Sequence, residues 1–138
     1  MLTYTFISNA NIQEAKQIIG LYRMGGWWGE NGDDTDLVNR IVKGSHCFLI
    51  ARESKQIVGM GRALSDGASD AYIQDVIVHK QVRKQGIGTK ITEMLMADLE
   101  ASGLKWIGLI AESGSHPFYT KMGFQKMPNA TPMLKIVS

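Results

Sequence analysis

Val76-Ile77-Val78-His79-Lys80-Gln81-Val82-Arg83-Lys84-Gln85-Gly86-Ile87-Gly88-Thr89-Lys90 runs from a β-branched apolar segment through a basic turn into two closely spaced glycines. The run Ala71 to His79 (AYIQDVIVH) has strand composition. Beyond the glycines the period becomes helical: Ile87, Ile91, Met94, Leu95 and Leu99 share a face, Lys90, Glu93 and Glu100 lie elsewhere, and Ser102-Gly103 closes the helix. The first N–H groups of a helix have no internal partner, and the macrodipole places about half a positive charge there. Gly86 and Gly88 let the backbone approach an anion without Cβ interference, and Arg83 and Lys84 add positive charge. The chemistry of this segment is pyrophosphate cradling.

Other phosphate loops fail on the same residues. A P-loop needs four residues between its glycines and then Gly-Lys-Ser/Thr, whereas one residue separates Gly86 from Gly88. A Rossmann fingerprint needs Gly or Ala where Ile91 stands, and an early βαβ unit. Lys80, Arg83, Lys84 and Lys90 would ordinarily be a solvated basic face; their position beside the glycines sets them apart. An RNA-binding loop would want aromatic stacking residues beside it, and this one has none.

Working outward, residues 2–7 alternate as a strand, and Asn9 or Asn11 caps a helix with Ile12, Ala15, Ile18, Ile19 and Tyr22 on one face, ended by Gly25-Gly26. Asp33, Asp34 and Thr35 open a second helix, with Leu37, Val38, Ile41 and Val42, that Gly44 closes. His46 to Arg52 and Ile57 to Leu64 read as strands joined by a polar turn at residues 53–56, and residues 65–70 form a second turn. Such short loops call for an antiparallel meander. Trp106 to Ala111 is a short apolar strand, a short helix covers His116 to Met122, and terminal strands are expected around Phe124-Gln125 and Met133 to Val137. The sum is a mixed α/β fold of one domain, residues 1–138, with helices on both sides of a twisted, mostly antiparallel sheet.

Composition narrows the classes. With 44% hydrophobic and 20% charged residues the chain is globular, and a net charge of +2 is too small to argue for nucleic acid binding. No apolar run approaches the roughly 20 residues a membrane span requires. The N-terminus lacks a basic n-region, and Cys47 is the lone cysteine, so no intrachain disulfide can form and a cytoplasmic protein is expected.

Arg83-x-x-Gly86-x-Gly88 after a strand ending Val-x-Val is similar to the acyl-CoA pyrophosphate motif of the GNAT superfamily of N-acetyltransferases. Pro117-Phe118-Tyr119-Thr120-Lys121-Met122-Gly123-Phe124 resembles that family's FYxKxGF segment. The resemblance is specific from Ala71 to Gln125 and follows the element order along the rest. It implies a GNAT fold of six to seven strands with a splayed pair and about four helices. It also implies acetyl-CoA as co-substrate, no metal, and direct transfer to a primary amine of a small molecule through a ternary complex. Arg83, Lys84, Gln85, Gly86, Ile87, Gly88 and Thr89 would hold the CoA diphosphate, with Ile77 and Val78 pairing the pantetheine. Many members carry Asn after the fifth strand, where this chain has Glu112-Ser113-Gly114-Ser115, so the resemblance does not extend to that pantetheine contact; Lys84 also replaces a frequent Gly. A non-catalytic acyl-CoA-binding or sensing domain, or a protein N-acetyltransferase, shares these motifs, and homodimer formation stays open.

By the resemblance Tyr119 is the acid that protonates the departing thiol, against its plain reading as a half-buried aromatic. Asp75 interrupts an apolar strand and resembles the acidic residue that faces the acceptor in many members; it would act as base through a water, with Gln74 positioning. Equally, it can be a carboxylate hydrogen-bonded to a bulge or paired with Arg62. His116, beside Pro117, is a second candidate base. Trp27, Trp28 and Glu30 lie in the loop that walls the family's acceptor pocket, where they suit a cationic amine, although the tryptophans can equally cap the core. His46, His79 and His116 lack metal spacing, and Cys47 reads as a buried strand residue.

Overall fold

A computed structural model describes the whole chain, Met1 to Ser138. It divides into two compact units, Met1–Gly108 and Leu109–Ser138. The sheet has five strands in chain order: β1 (Leu2–Phe6), β2 (Cys47–Glu53), β3 (Gln56–Ser65), β4 (Asp70–Val78) and β5 (Trp106–Leu109). The first four pair antiparallel, β2, β3 and β4 through short turns as the meander reading requires, and β1 against β2 across the long connection that carries two helices. The β3–β4 turn is held by Asp66, whose carboxylate accepts from Ser69 N, Ala68 N and the Ser69 hydroxyl. Those hydrogen bonds bring its pKa down to about 2.

Helices α1 (Ile12–Met24) and α2 (Thr35–Gly44) lie between β1 and β2 in the chain, and α3 (Ile87–Ala101) lies between β4 and β5. Asn11 and Glu14 form a reciprocal capping box at the start of α1. Glu14 also accepts from Arg52 Nη2 of β2 at 2.6 Å, fastening that helix end to the sheet. Asp34 caps α2 through Leu37 N.

Strand alternation separates two packing faces. Met60 and Ile77 join Ile18, Ile19, Tyr22 and Phe48 in the cluster beneath α1 and α2. Gly59 and Gly61 turn the other way and admit α3: a Cβ on Gly61 would stand 2.8 Å from Ile91 Cγ2 and 3.0 Å from Leu95 Cδ1. Helices therefore cover both faces. Gly61→Val is expected to cost about 1–3 kcal/mol by overpacking, read as a lower urea midpoint at unchanged m.

In the second unit α4 (His116–Thr120) is short, and Phe118, Tyr119 and Phe124 pack edge to face with centroids 4.9 and 5.8 Å apart. The expected count of six to seven strands is corrected to five, because Phe124-Gln125 and Met133 to Val137 form no strands. Met133, Leu134, Ile136 and Val137 are 89, 85, 82 and 83% exposed. Their apolar residues fall on both faces instead of alternating, and a strand without a hydrogen-bonded neighbour is not stable. No helix is long and apolar enough to cross a membrane.

Candidate active site

Between β3 and β4 the register slips: Met60 pairs with Ile77, and Arg62 with Gln74. Asp75 and Val76 thus face Gly61 alone, which makes a β-bulge. Asp75 adopts φ +58°, a left-handed conformation that Asp tolerates better than most residues. Val76 points toward α3, while the Asp75 carboxylate turns to the α1 face. Its Oδ2 accepts the Tyr22 hydroxyl at 2.8 Å and Arg62 Nε at 2.6 Å. Both bonds fall on one oxygen, which leaves Oδ1 for a ligand. The Arg62 and Asp75 side chains are only 16 and 18% exposed, so each offsets much of the other's desolvation. Arg62 also donates to Ser45 Oγ and to Gln74 Oε1, both at 3.3 Å.

Tyr22 is buried, and burial followed by the Asp75 charge pushes its phenol well above the ordinary range. It stays protonated and keeps donating. This residue was not singled out from sequence, although an apolar helix face carrying a phenol that needs a partner is a usable signal. Trp28 stacks on Tyr22 at 5.4 Å, donates Nε1 to Gly32 O at 2.6 Å and is 3% exposed; it is spent on the core, one of the two readings open for it. Trp27 stands edge-on to Tyr22 at 6.4 Å and keeps 37% exposure. Glu30 and Gln74 are exposed, the latter held by Arg62.

Past β4 the chain makes a 3₁₀ turn, Lys80–Val82, capped by His79 Nδ1. Arg83 Nε folds back onto Val78 O at 2.9 Å. Lys84 and Gly86 take φ +67° and +82°. Gly86 is the N-cap of α3, no side chain caps that helix, and a Cβ there would meet nothing within 4 Å. Glycine at 86 thus serves conformation rather than space. The N–H groups of Ile87, Gly88 and Thr89 are free for an anion, while the Ile87 side chain is buried and anchors the turn. Arg83, Lys84 and Gln85 are exposed beside them. β5 offers four residues against nine in β4, and its Trp106 touches Tyr72 at the first half of β4. Ile77 and Val78 lie in the other half, Ile77 buried and Val78 half-buried.

In the second unit Tyr119 sits between two phenylalanines, and burial raises its phenol pKa. His116 opens α4. Elsewhere, burial and then Asp98 push the Cys47 thiol up to about 12. Alkylation needs the thiolate, so iodoacetamide at pH 8 is expected to leave Cys47 intact in folded protein and to label it after denaturation, as mass spectrometry would show.

The family model described as "Acetyltransferase (GNAT) domain" matches residues 27–133. Over 73 residues the chain is 37% identical to serotonin N-acetyltransferase 2, chloroplastic, of Oryza sativa subsp. japonica, covering 53% of this chain and 36% of that protein. Over 76 residues it is 38% identical to histone acetyltransferase TAP1 of Glycine max, covering 55% and 33%. The chain thus spans about a third of the length of these curated relatives. The crystal structure of a predicted acetyltransferase with acetyl-CoA from Clostridium acetobutylicum superposes with TM-score 0.75 at 18% identity, over 97% of this chain and 96% of that one.

Proposed function

The chain belongs to the GNAT acetyltransferase family, and from that premise we propose that it transfers an acetyl group from acetyl-CoA to the primary amine of a small molecule. The observation that carries this reading is the start of α3, an uncapped helix N-terminus opened by a left-handed Gly86 just past the 3₁₀ turn that follows β4. Its N–H groups, with Arg83, Lys84 and Gln85, would hold the CoA diphosphate, and the strand end at Ile77-Val78 would pair with the pantetheine. The amine binds as a cation and first loses one proton to solvent; the neutral nitrogen then attacks the thioester carbonyl carbon, and the C–N bond forms as the C–S bond breaks. The proton shed by nitrogen in that step goes to Asp75 Oδ1, directly or through a water. The departing thiolate takes the Tyr119 proton.

The names of the relatives include one small-molecule and one protein acceptor. A small cationic amine is favoured by a carboxylate whose partner Tyr22 also carries Trp27 on its edge. Calorimetric titration with acetyl-CoA, CoA and ATP tests the donor. Micromolar binding of the first two and none of ATP is the expected result, to be followed by an amine screen that reads thiol release. Folded protein that takes up neither thioester nor thiol would remove the basis of this reading.

A further inference from the structure

Two aromatic rings near Asp75 have no role in the scheme above. Tyr72 of β4 and Trp106 of β5 touch edge to face, centroids 5.3 Å apart, yet they remain 47 and 42% exposed. Their arrangement depends on a glycine. A Cβ on Gly108, two residues along β5 and on the same face, would stand 3.0 Å from Trp106 Cη2 and Cζ3 and 3.4 Å from Tyr72 Cε1. The missing side chain lets the indole lie across the strand, so that the two rings, inclined at 64° to one another, form a shallow angled platform.

The platform lies on the same side of the sheet as the carboxylate. Arg62 pairs with Gln74 and Leu64 with Tyr72, so Gln74 and Tyr72 project from one face, one pleat apart. Arg62 reaches both Gln74 Oε1 and Asp75 Oδ2 from that face. The strip therefore runs from an anion at Asp75 through an amide at Gln74 to two rings at Tyr72 and Trp106. At ~3.3 Å per residue, Tyr72 and Asp75 are about 10 Å apart along β4.

Resting on the acetyltransferase reading, we propose that Tyr72 and Trp106 seat the flat apolar body of the acceptor while Asp75 receives its amine. The substrate class is then a primary arylalkylamine with a tether of about two or three carbons, the length that joins ring to carboxylate over this distance. Ring stacking supplies selectivity over aliphatic amines, and the carboxylate selects a cation over a neutral aromatic.

Calorimetry in the presence of CoA, with phenethylamine and n-butylamine as probes, reads the platform without turnover; steady-state acetylation of the same amines reads it with turnover. Phenethylamine is expected to bind the parent protein roughly tenfold more tightly than n-butylamine, and Trp106→Leu or Tyr72→Leu to abolish that preference while n-butylamine is unaffected. Gly108→Ala, which pushes the indole off its seat, is expected to act in the same direction. Equal affinity of the parent for both amines overturns the platform even where both are acetylated. An equal loss for both amines in the Leu variants overturns it as well, since that marks a purely structural pair. Ring-dependent binding without acetylation of any amine supports the platform and overturns the catalytic reading.

Discussion

Asp75→Asn is expected to lower kcat/KM for the amine by about 10²–10⁴-fold and to leave the acetyl-CoA Kd unchanged. The substitution removes the negative charge, and with it both proton acceptance and attraction for a cationic amine, while the hydrogen bonds to Asp75 can persist. Asn keeps an oxygen for the Tyr22 hydroxyl and Arg62 Nε, so the polar network survives in outline. It also accepts a left-handed backbone nearly as readily as Asp, and the φ of +58° remains available. Ala does neither; it would strain the bulge and leave Arg62 Nε and the Tyr22 hydroxyl without an acceptor. Steady-state kinetics beside a calorimetric Kd for acetyl-CoA provide the check. Turnover at the parental rate would move the proton acceptor elsewhere, with His116 next in line.

Tyr119→Phe is expected to lower kcat by a similar factor, about 10²–10⁴-fold, again at constant acetyl-CoA affinity. Phe preserves the edge-to-face packing between Phe118 and Phe124, so the second unit keeps its shape. Only the proton is lost. Reference values put tyrosine ~1.5 units above a thiol, an uphill transfer of roughly 2 kcal/mol, and burial widens that gap. A donor so unwilling works only in direct contact with the sulfur. An acyl donor with a more acidic thiol needs the proton less, so the variant should lose less rate on it. An unchanged rate with acetyl-CoA would return Tyr119 to the role of a packed aromatic.

The parts of this protein legible in its sequence are the local ones. The strand-to-glycine transition at Val78 to Gly88, the capping box at Asn11 and Glu14, and the meander turns all declare themselves within a few neighbouring residues. The bulge was one open reading of Asp75, and Arg62 another; both are present together. What local pattern could not supply was Tyr22, 53 residues from Asp75, because only the packing of α1 onto β4 brings the two together. Trp106 and Gly108 were read as an apolar strand, since composition does not say which face a ring lies on. The terminal strands failed for the opposite reason: apolar content at Met133 to Val137 suggested burial, but pairing depends on a neighbour that no short window reveals.

The bulge has a consequence for how such a site is gained or lost. Ile73 and Val76 point to the α3 side, and Gln74 and Ile77 to the α1 side. Take Asp75 out and the remaining residues alternate without interruption, every one on the face it already occupies. The carboxylate is thus a single insertion into a strand that would be regular without it. Deleting that one codon would restore regular pairing but strand the Arg62 guanidinium and the Tyr22 hydroxyl without their acceptor, so the bulge, its carboxylate and their two buried donors are gained or lost as one unit.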